Sequence, residues 1–354
     1  MTSKKVLIIN EGYSDNLGDQ AINNSLSLFF KENNYQVSFM YLSNPEITNK
    51  PNYKYLEGRN KNKKTHIDKI KTFFLFFRWY FKFKKIIIKN IKAENYDLIV
   101  IGGGQLIISS GSYSLSSFSI SLFWITYLIK KYSNSKIYLV GIGTSKKFNF
   151  FEKKLYYLVL KRVSHIFVRD EFSHKNLKNF FNIKSIIIPD IAFYGEWNDK
   201  KFKNSKIFLL SLANYNEVFL RYNTKKISKK KYYENFYKII QEKEKNNMMI
   251  KLFYTTKSDA IEMIEFKKYL KEKHNKTIQI CKINTMSDLT NCFSKAHTVY
   301  SGRMHALILA YKQNCEVEIQ TISQKLLSFN NFIKKTKINS TNYKLYFTSL
   351  KKIL

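Results

Sequence analysis

The sequence predicts an α/β protein of two domains, each built on a parallel sheet, facing each other across a cleft. Three observations predict it. Apolar runs of strand length alternate with longer helical patterns, which argues for parallel strands joined by crossover helices. The alternation pauses at a polar stretch, residues 198–205, and then restarts. At 354 residues the chain also exceeds what one hydrophobic core usually supports. The expected division is 1–197 and 198–354, with the last helix packing back on the N-terminal domain.

Taken in order, Val6-Leu-Ile-Ile-Asn10 reads as the first strand, 19–31 as a helix and 36–42 as a strand. A basic, aromatic segment follows at 67–92. Tyr96-Asp-Leu-Ile-Val-Ile-Gly-Gly-Gly104 reads as a buried strand ending in a glycine turn, with a helix over 121–132. Lys136-Ile-Tyr-Leu-Val-Gly-Ile-Gly143 is another strand with a glycine-rich end. A helix over 151–163, a strand over 165–170 and a short run over 184–189 complete this half. The second half repeats the alternation: strand 207–212, helix 229–245, strand 248–254, helix 259–274, strand 277–281. A short helix over 287–295, with Ser287 as N-cap, precedes a strand that runs through Ser301-Gly302 into a helix. Lys/Asn-rich tracts at 59–64 and 225–231 read as exposed loops.

The net charge is +35, from 61 Lys and Arg against 26 Asp and Glu, and it draws the chain towards polyanions. The excess is mostly lysine spread among Asn, Ile, Phe and Tyr, a pattern that compositional bias also produces. No finger, RNP or helix-turn-helix pattern is present, so nucleic acid is not an expected partner. No apolar run reaches the roughly 20 residues needed to span a bilayer, and Met1-Thr-Ser-Lys-Lys leads directly into the first strand. The expectation is a cytoplasmic protein, with peripheral attachment at the inner face of the cell membrane as one option. Cys281, Cys292 and Cys315 have no metal-ligand spacing and are expected to be reduced; no metal or cofactor is expected.

Chemistry concentrates at the strand ends, where open α/β sheets bind ligands. Arg303 and His305 are expected in the first turn of the helix after Ser301-Gly302. Unpaired backbone N–H groups and the helix dipole favour an anion there. The competing reading makes Arg303 a surface residue and packs His305 under the helix. Asn16, Gly18 and Asp19 join the first strand to the first helix, as cleft wall or, for Asp19, as a helix cap. Gly103 and Gly104 close the third strand, and Gly141-Ile-Gly-Thr-Ser-Lys146 has the composition of a phosphate cradle. Arg169 follows a strand, either as a carboxylate-binding cation or in a structural pair, and Asp190 holds a similar position.

Asn16-Leu-Gly-Asp19, Gly102-Gly-Gly104, Val168-Arg-Asp-Glu171 with Ser173, Pro189-Asp190-Ile-Ala-Phe193 and Ser301-Gly-Arg-Met-His-Ala306 occur in an order and spacing that resembles the polysaccharide pyruvyltransferase family. The similarity runs from about Lys5 to Phe329. The resemblance implies two Rossmann-like domains facing a cleft, similar to the GT-B glycosyltransferase fold. It implies transfer of a pyruvyl group from phosphoenolpyruvate, as donor substrate, to a sugar of a cell-surface polysaccharide or its lipid-linked precursor, forming a pyruvate ketal. Lys325 matches a lysine seen after the Arg-x-His helix, whereas the 141–146 loop departs from the family pattern. Phosphoenolpyruvate carries a carboxylate and a phosphate, which Arg169, Arg303 and Lys325 can contact, with Ser301 and Gly302 beside them. His305 suits proton transfer.

Two other functions remain open at this point: a nucleotide-sugar glycosyltransferase with the same architecture, and a noncatalytic anion- or glycan-binding protein. The segment 67–92 fits either an interfacial helix on an anionic membrane surface or an ordinary crossover helix.

Overall fold

The computed structural model describes residues 4–47, 69–110, 115–199, 205–220 and 227–354. The tract 59–64, residues 67–68 of the aromatic segment, and parts of 198–205 and 225–231 lie outside the described residues. One parallel sheet takes, in spatial order, β2 (Tyr35–Tyr41), β1 (Lys4–Asn10), β3 (Leu98–Ile107), β4 (Lys136–Thr144), β5 (His165–Val168) and β6 (Ile186–Ile187). A second takes β11 (Glu316–Ile319), β10 (Thr298–Ser301), β7 (Ile207–Ser211), β8 (Met249–Leu252) and β9 (Gln279–Ile280), again all parallel. The strand order reverses at β1/β3 in the first sheet and at β10/β7 in the second. Such switch points open crevices at the carboxyl ends of the strands.

Five helices serve the first sheet: α1 (Leu17–Glu32), α2 (Lys69–Lys92), α3 (Ser117–Tyr132), α4 (Phe150–Arg162) and α5 (Glu171–Phe181). The buried residues of α2 to α5 form one cluster with Leu7, Ile9 and Ile99, so these helices share one face. The opposite face packs α1 with Val6, Ile8 and Leu98. α6 (Lys229–Lys245), α7 (Lys257–His274), α8 (Met286–Ser294) and α9 (Met304–Lys312) serve the second sheet. α10 (Gln324–Thr336) and a short α11 (Thr348–Lys351) follow β11. Phe347 and Leu350 are buried among the α1-side residues, and Tyr138 donates to the carbonyl of Ile353 at 3.1 Å, so the end of the chain covers the first sheet.

The two sheets are joined at the backbone. Leu17 N–H donates to Thr255 O at 3.0 Å, and the buried Lys312 ammonium donates to the carbonyls of Ala192 and Tyr194 at 3.0 and 3.1 Å. Burial lowers Lys312 to about 8.

Several expectations are corrected. Gly102 to Gly104 do not close their strand but lie inside β3, whereas Gly141 to Gly143 do form the glycine-rich end of β4, one residue before it stops. β4 carries on to Thr144, so 141–144 is strand and not loop; Ser145 follows it onto the cavity wall and Lys146 is exposed. α1 starts at Leu17 with Asn16 as N-cap, because the Asn16 side chain reaches Gly18 N–H at 3.0 Å; Asp19 does not cap it. α8 is capped by Thr285 in a capping box with Asp288, not by Ser287. β11 follows α9 where the sequence reading drew no strand.

Candidate active site

The cleft holds a cavity of about 340 Å³ whose walls come from both sheets. The first half contributes Asn16, Gly18, Asp19, Gly103, Gly104 and Arg169; the second contributes Arg303, His305 and Lys325. Two helix N-termini open towards it, those of α9 and α10, whose first-turn backbone N–H groups have no intrahelical partner, whereas those of α1 are taken by Thr255 O and the Asn16 cap. An anion therefore meets fixed dipoles as well as side-chain cations.

Arg303 occupies the N-cap position of α9, one residue before the first turn, and His305 is the second residue of the helix. Arg303 is not an isolated cation. Its Nε and Nη2 donate to Asp259 Oδ2 and Oδ1 at 2.9 and 2.7 Å, a bidentate pair to a buried carboxylate at the start of α7. That pair fixes the plane of the guanidinium at the cavity wall. Ser301 lies outside the cavity: it is buried at the end of β10 and its Oγ accepts from Arg303 N–H at 3.0 Å, so it positions Arg303 from behind. Gly302 faces a smaller neighbouring cavity of about 160 Å³, shared with Arg303, Ser323 and Lys325.

Asp190 joins the two halves. Its Oδ2 accepts from Arg169 Nη1 at 3.1 Å and lies 3.4 Å from His305 Nε2, while Oδ1 accepts from Ala192 N–H at 3.1 Å. Burial alone would raise the Asp190 carboxyl; His305, then Arg169 and the Ala192 N–H, overcome it and hold the group well below the usual carboxylate range. Asp190 lines a small side cavity with Arg169 and Lys325, not the main one. It acts on the site by orienting the Arg169 guanidinium and the His305 imidazole. Arg169 is buried and lies flat on β4: a Cβ at Gly143 would come 2.8 Å from its Nη2. Arg169 Nε is buried and without a hydrogen-bond partner, and the 3.4 Å contact of His305 Nε2 with Asp190 falls short of a hydrogen bond.

Gly18 gives the imidazole its place. A Cβ there would lie 2.6 Å from His305 Nδ1, so only glycine lets α1 approach the ring this closely. Asp19 accepts from Ser14 Oγ and Asn16 Nδ2 at 2.9 and 3.0 Å. Burial raises its carboxyl, against the opposing charges of His305 and Lys325 and these two bonds. Lys325, the second residue of α10, is lowered to about 8 by burial, with Arg169 and Arg303 acting in the same direction.

Sequence reasoning missed Glu11, Gln105, Ser109 and Thr255 on the cavity wall, and Asp259 behind Arg303, whereas Ser145 of the 141–146 run does reach that wall. Glu11 adjoins the quoted Asn16 motif and was legible as the residue that leaves the first strand. Asp259 carries no local signal, since a carboxylate three residues after Thr256 reads as ordinary helix-start chemistry. Burial, with the Asp19 charge, raises Glu11 to about 7 against a 2.6 Å hydrogen bond from Ser43 Oγ. Among the described residues no group of three or more His, Cys, Asp or Glu side chains gathers to hold a metal ion.

The model of the polysaccharide pyruvyl transferase family matches residues 16–317, most of the chain and every element of this cavity except Glu11 and Lys325. The chain belongs to that family. It is thereby a transferase. No curated protein matches the sequence. Among solved structures, the fold is similar to a Listeria monocytogenes protein described as a UDP-N-acetylglucosamine 2-epimerase, with TM-score 0.54 and 13% identity over 93% of this chain and 82% of that one. It is similar to S. aureus MnaA solved with UDP, with TM-score 0.51 and 13% identity over 99% and 87%. It is also similar to the UDP-GlcNAc 2-epimerase of Methanocaldococcus jannaschii, with TM-score 0.50 and 15% identity over 98% and 91%. At these identities the likeness concerns the fold: two parallel-sheet α/β units across a cleft, a GT-B-like arrangement.

Proposed function

We propose that this family member transfers the pyruvyl group of phosphoenolpyruvate to a sugar of a cell-surface polysaccharide, or of its lipid-linked precursor, as a cyclic ketal. The observation that carries the reading is the convergence of Arg169, Arg303 and Lys325 with His305 on one cavity. A donor with both a carboxylate and a phosphate needs more than one cation, and these come pre-positioned on rigid partners. The hydroxyls of Ser109 and Ser145 and the amide of Gln105 line the first-sheet side, where a sugar can hydrogen-bond.

In the reaction, one sugar hydroxyl adds to C2 of phosphoenolpyruvate while the C3 methylene gains a proton and becomes methyl. The C2–O bond to phosphate then breaks, inorganic phosphate leaves, and a second hydroxyl of the same sugar closes the ketal and loses its proton. His305, held by Asp190, moves the proton. The cations and the helix N-termini stabilise the departing phosphate.

The test is thermal unfolding with phosphoenolpyruvate and, separately, with nucleotide-sugars, since a ligand that binds only the folded chain raises the melting temperature. Phosphoenolpyruvate is expected to raise it, and Lys325→Met to abolish the rise. Lys325 is the better site to change, because Arg303→Ala would strip buried Asp259 of its bidentate partner. His305→Ala is expected to keep the rise and lose turnover. A rise with a nucleotide-sugar alone would move the reading to glycosyl transfer, and phosphoenolpyruvate binding without turnover to a noncatalytic binder.

A further inference from the structure

Away from the cleft, α2 presents two different faces. Phe83, Ile87 and Ile91 are buried against the first sheet, and the Phe76 ring packs on Trp124 of α3. On the far side Phe74 and Phe81 are 65% and 73% exposed, seven residues apart and therefore on one row. Arg78, Lys82, Lys85 and Lys89 form the exposed row beside it. α3 lies between α2 and α4, and α4 opens with Phe150 and Phe151, 76% and 54% exposed. Lys146, Lys147, Lys153 and Lys154 surround this second pair and are exposed.

Grouped exposed phenylalanines mark a surface that is covered in use. The lysine rows decide what covers it. We propose that the face formed by α2 and the start of α4 docks on an anionic lipid bilayer, with the phenylalanine rings entering the interface and the lysines meeting the headgroups. The rings stand on convex helix surfaces and are flanked by cations, which is the arrangement of an interfacial helix. No helix among the described residues is long and apolar enough to cross a membrane.

The face is coupled to the cleft. Glu152, in the first turn of α4, accepts from the backbone N–H groups of Ser110 and Ser116 at 3.0 and 2.8 Å. These residues follow Ile108 and Ser109, which line the cavity. A bilayer under Phe150 and Phe151 therefore lies beside the cleft mouth, where an acceptor carried on a lipid would be presented. The docking itself does not depend on which group the cleft transfers.

Co-sedimentation of the full chain with phosphatidylcholine vesicles, with and without phosphatidylglycerol, tests this at physiological ionic strength. Binding is expected to the anionic vesicles only. The combined variant Phe74→Ser, Phe81→Ser, Phe150→Ser, Phe151→Ser is expected to bind about tenfold more weakly. Its melting temperature and its response to phosphoenolpyruvate should be unchanged, which separates this outcome from failure of the site. Arg78→Glu with Lys82→Glu and Lys85→Glu is expected to weaken binding as well. Absence of binding by the parent chain would overturn the proposal, and so would a serine variant that binds vesicles as tightly as the parent. Serine substitutions that weaken binding of single-stranded DNA but not of vesicles would reassign the face to nucleic acid.

Discussion

Asp190 and Glu11 are carboxyls of the same cleft that their surroundings push in opposite directions. Asp190 lies between Arg169 and His305 and is held ionised, whereas burial and the Asp19 charge carry Glu11 up to about 7. The consequence for stability has a definite sign. In the unfolded chain Glu11 ionises near its ordinary value of 4.5, so between 4.5 and 7 the folded state holds the proton that the unfolded state releases. The contribution of Glu11 is complete below 4.5, is lost as the pH rises towards 7, and is flat above it. Glu11→Gln keeps an oxygen for the Ser43 hydroxyl and removes the ionisation. Its melting temperature is therefore expected to exceed that of the parent at pH 8 by a few degrees and to approach it at pH 4.5. A difference between variant and parent that stayed constant across this range would show that Glu11 does not titrate there.

At the level of elements, the alternation of strand and helix was legible because its cause is local: apolar runs of strand length between helical patterns. What was not legible was where each element stops. Gly102 to Gly104 look like a turn, since three glycines usually end a strand, yet β3 runs through them to Ile107. The cause is tertiary. Ile22 of α1 packs directly on this part of β3, and a Cβ on Gly103 would come 1.9 Å from its Cγ2. Gly103 also has φ +81°, where an L side chain is strained. The two effects together predict that Gly103→Ala destabilises the chain by about 3 kcal/mol. Urea unfolding of Gly103→Ala, of Ile22→Ala and of the double variant separates them: in the Ile22→Ala background Gly103→Ala should cost only the backbone strain. A Gly103→Ala chain as stable as its parent would reject this account.

For the molecule as a whole, residue types were readable and partners were not. Arg303, His305 and Arg169 stand out in the sequence and Lys325 through the family resemblance, but nothing local shows that Asp259, 44 positions from Arg303, fixes that guanidinium while Asp190 holds Arg169 and the His305 ring. The charge of the whole chain, by contrast, is a sequence property with a physical consequence for the fold. With a net charge of +35, the folded state concentrates cations that the unfolded chain spreads apart. Many of the ion pairs are exposed, such as Lys175 with Glu171 and Lys268 with Glu272, and each such pair contributes only about 0–1 kcal/mol. Screening them therefore removes less than screening the general repulsion restores. The Debye length falls from about 30 Å at 0.01 M salt to about 8 Å at 0.15 M, so the melting temperature is expected to rise between these two conditions. Anion binding in the cleft would produce a rise as well, and the Lys325→Met chain distinguishes the two. A rise kept in that variant reports long-range repulsion, which is the expected result. A rise lost with Lys325 would place the salt effect in the cleft, and a fall in the parent chain would mean that the ion pairs outweigh the repulsion.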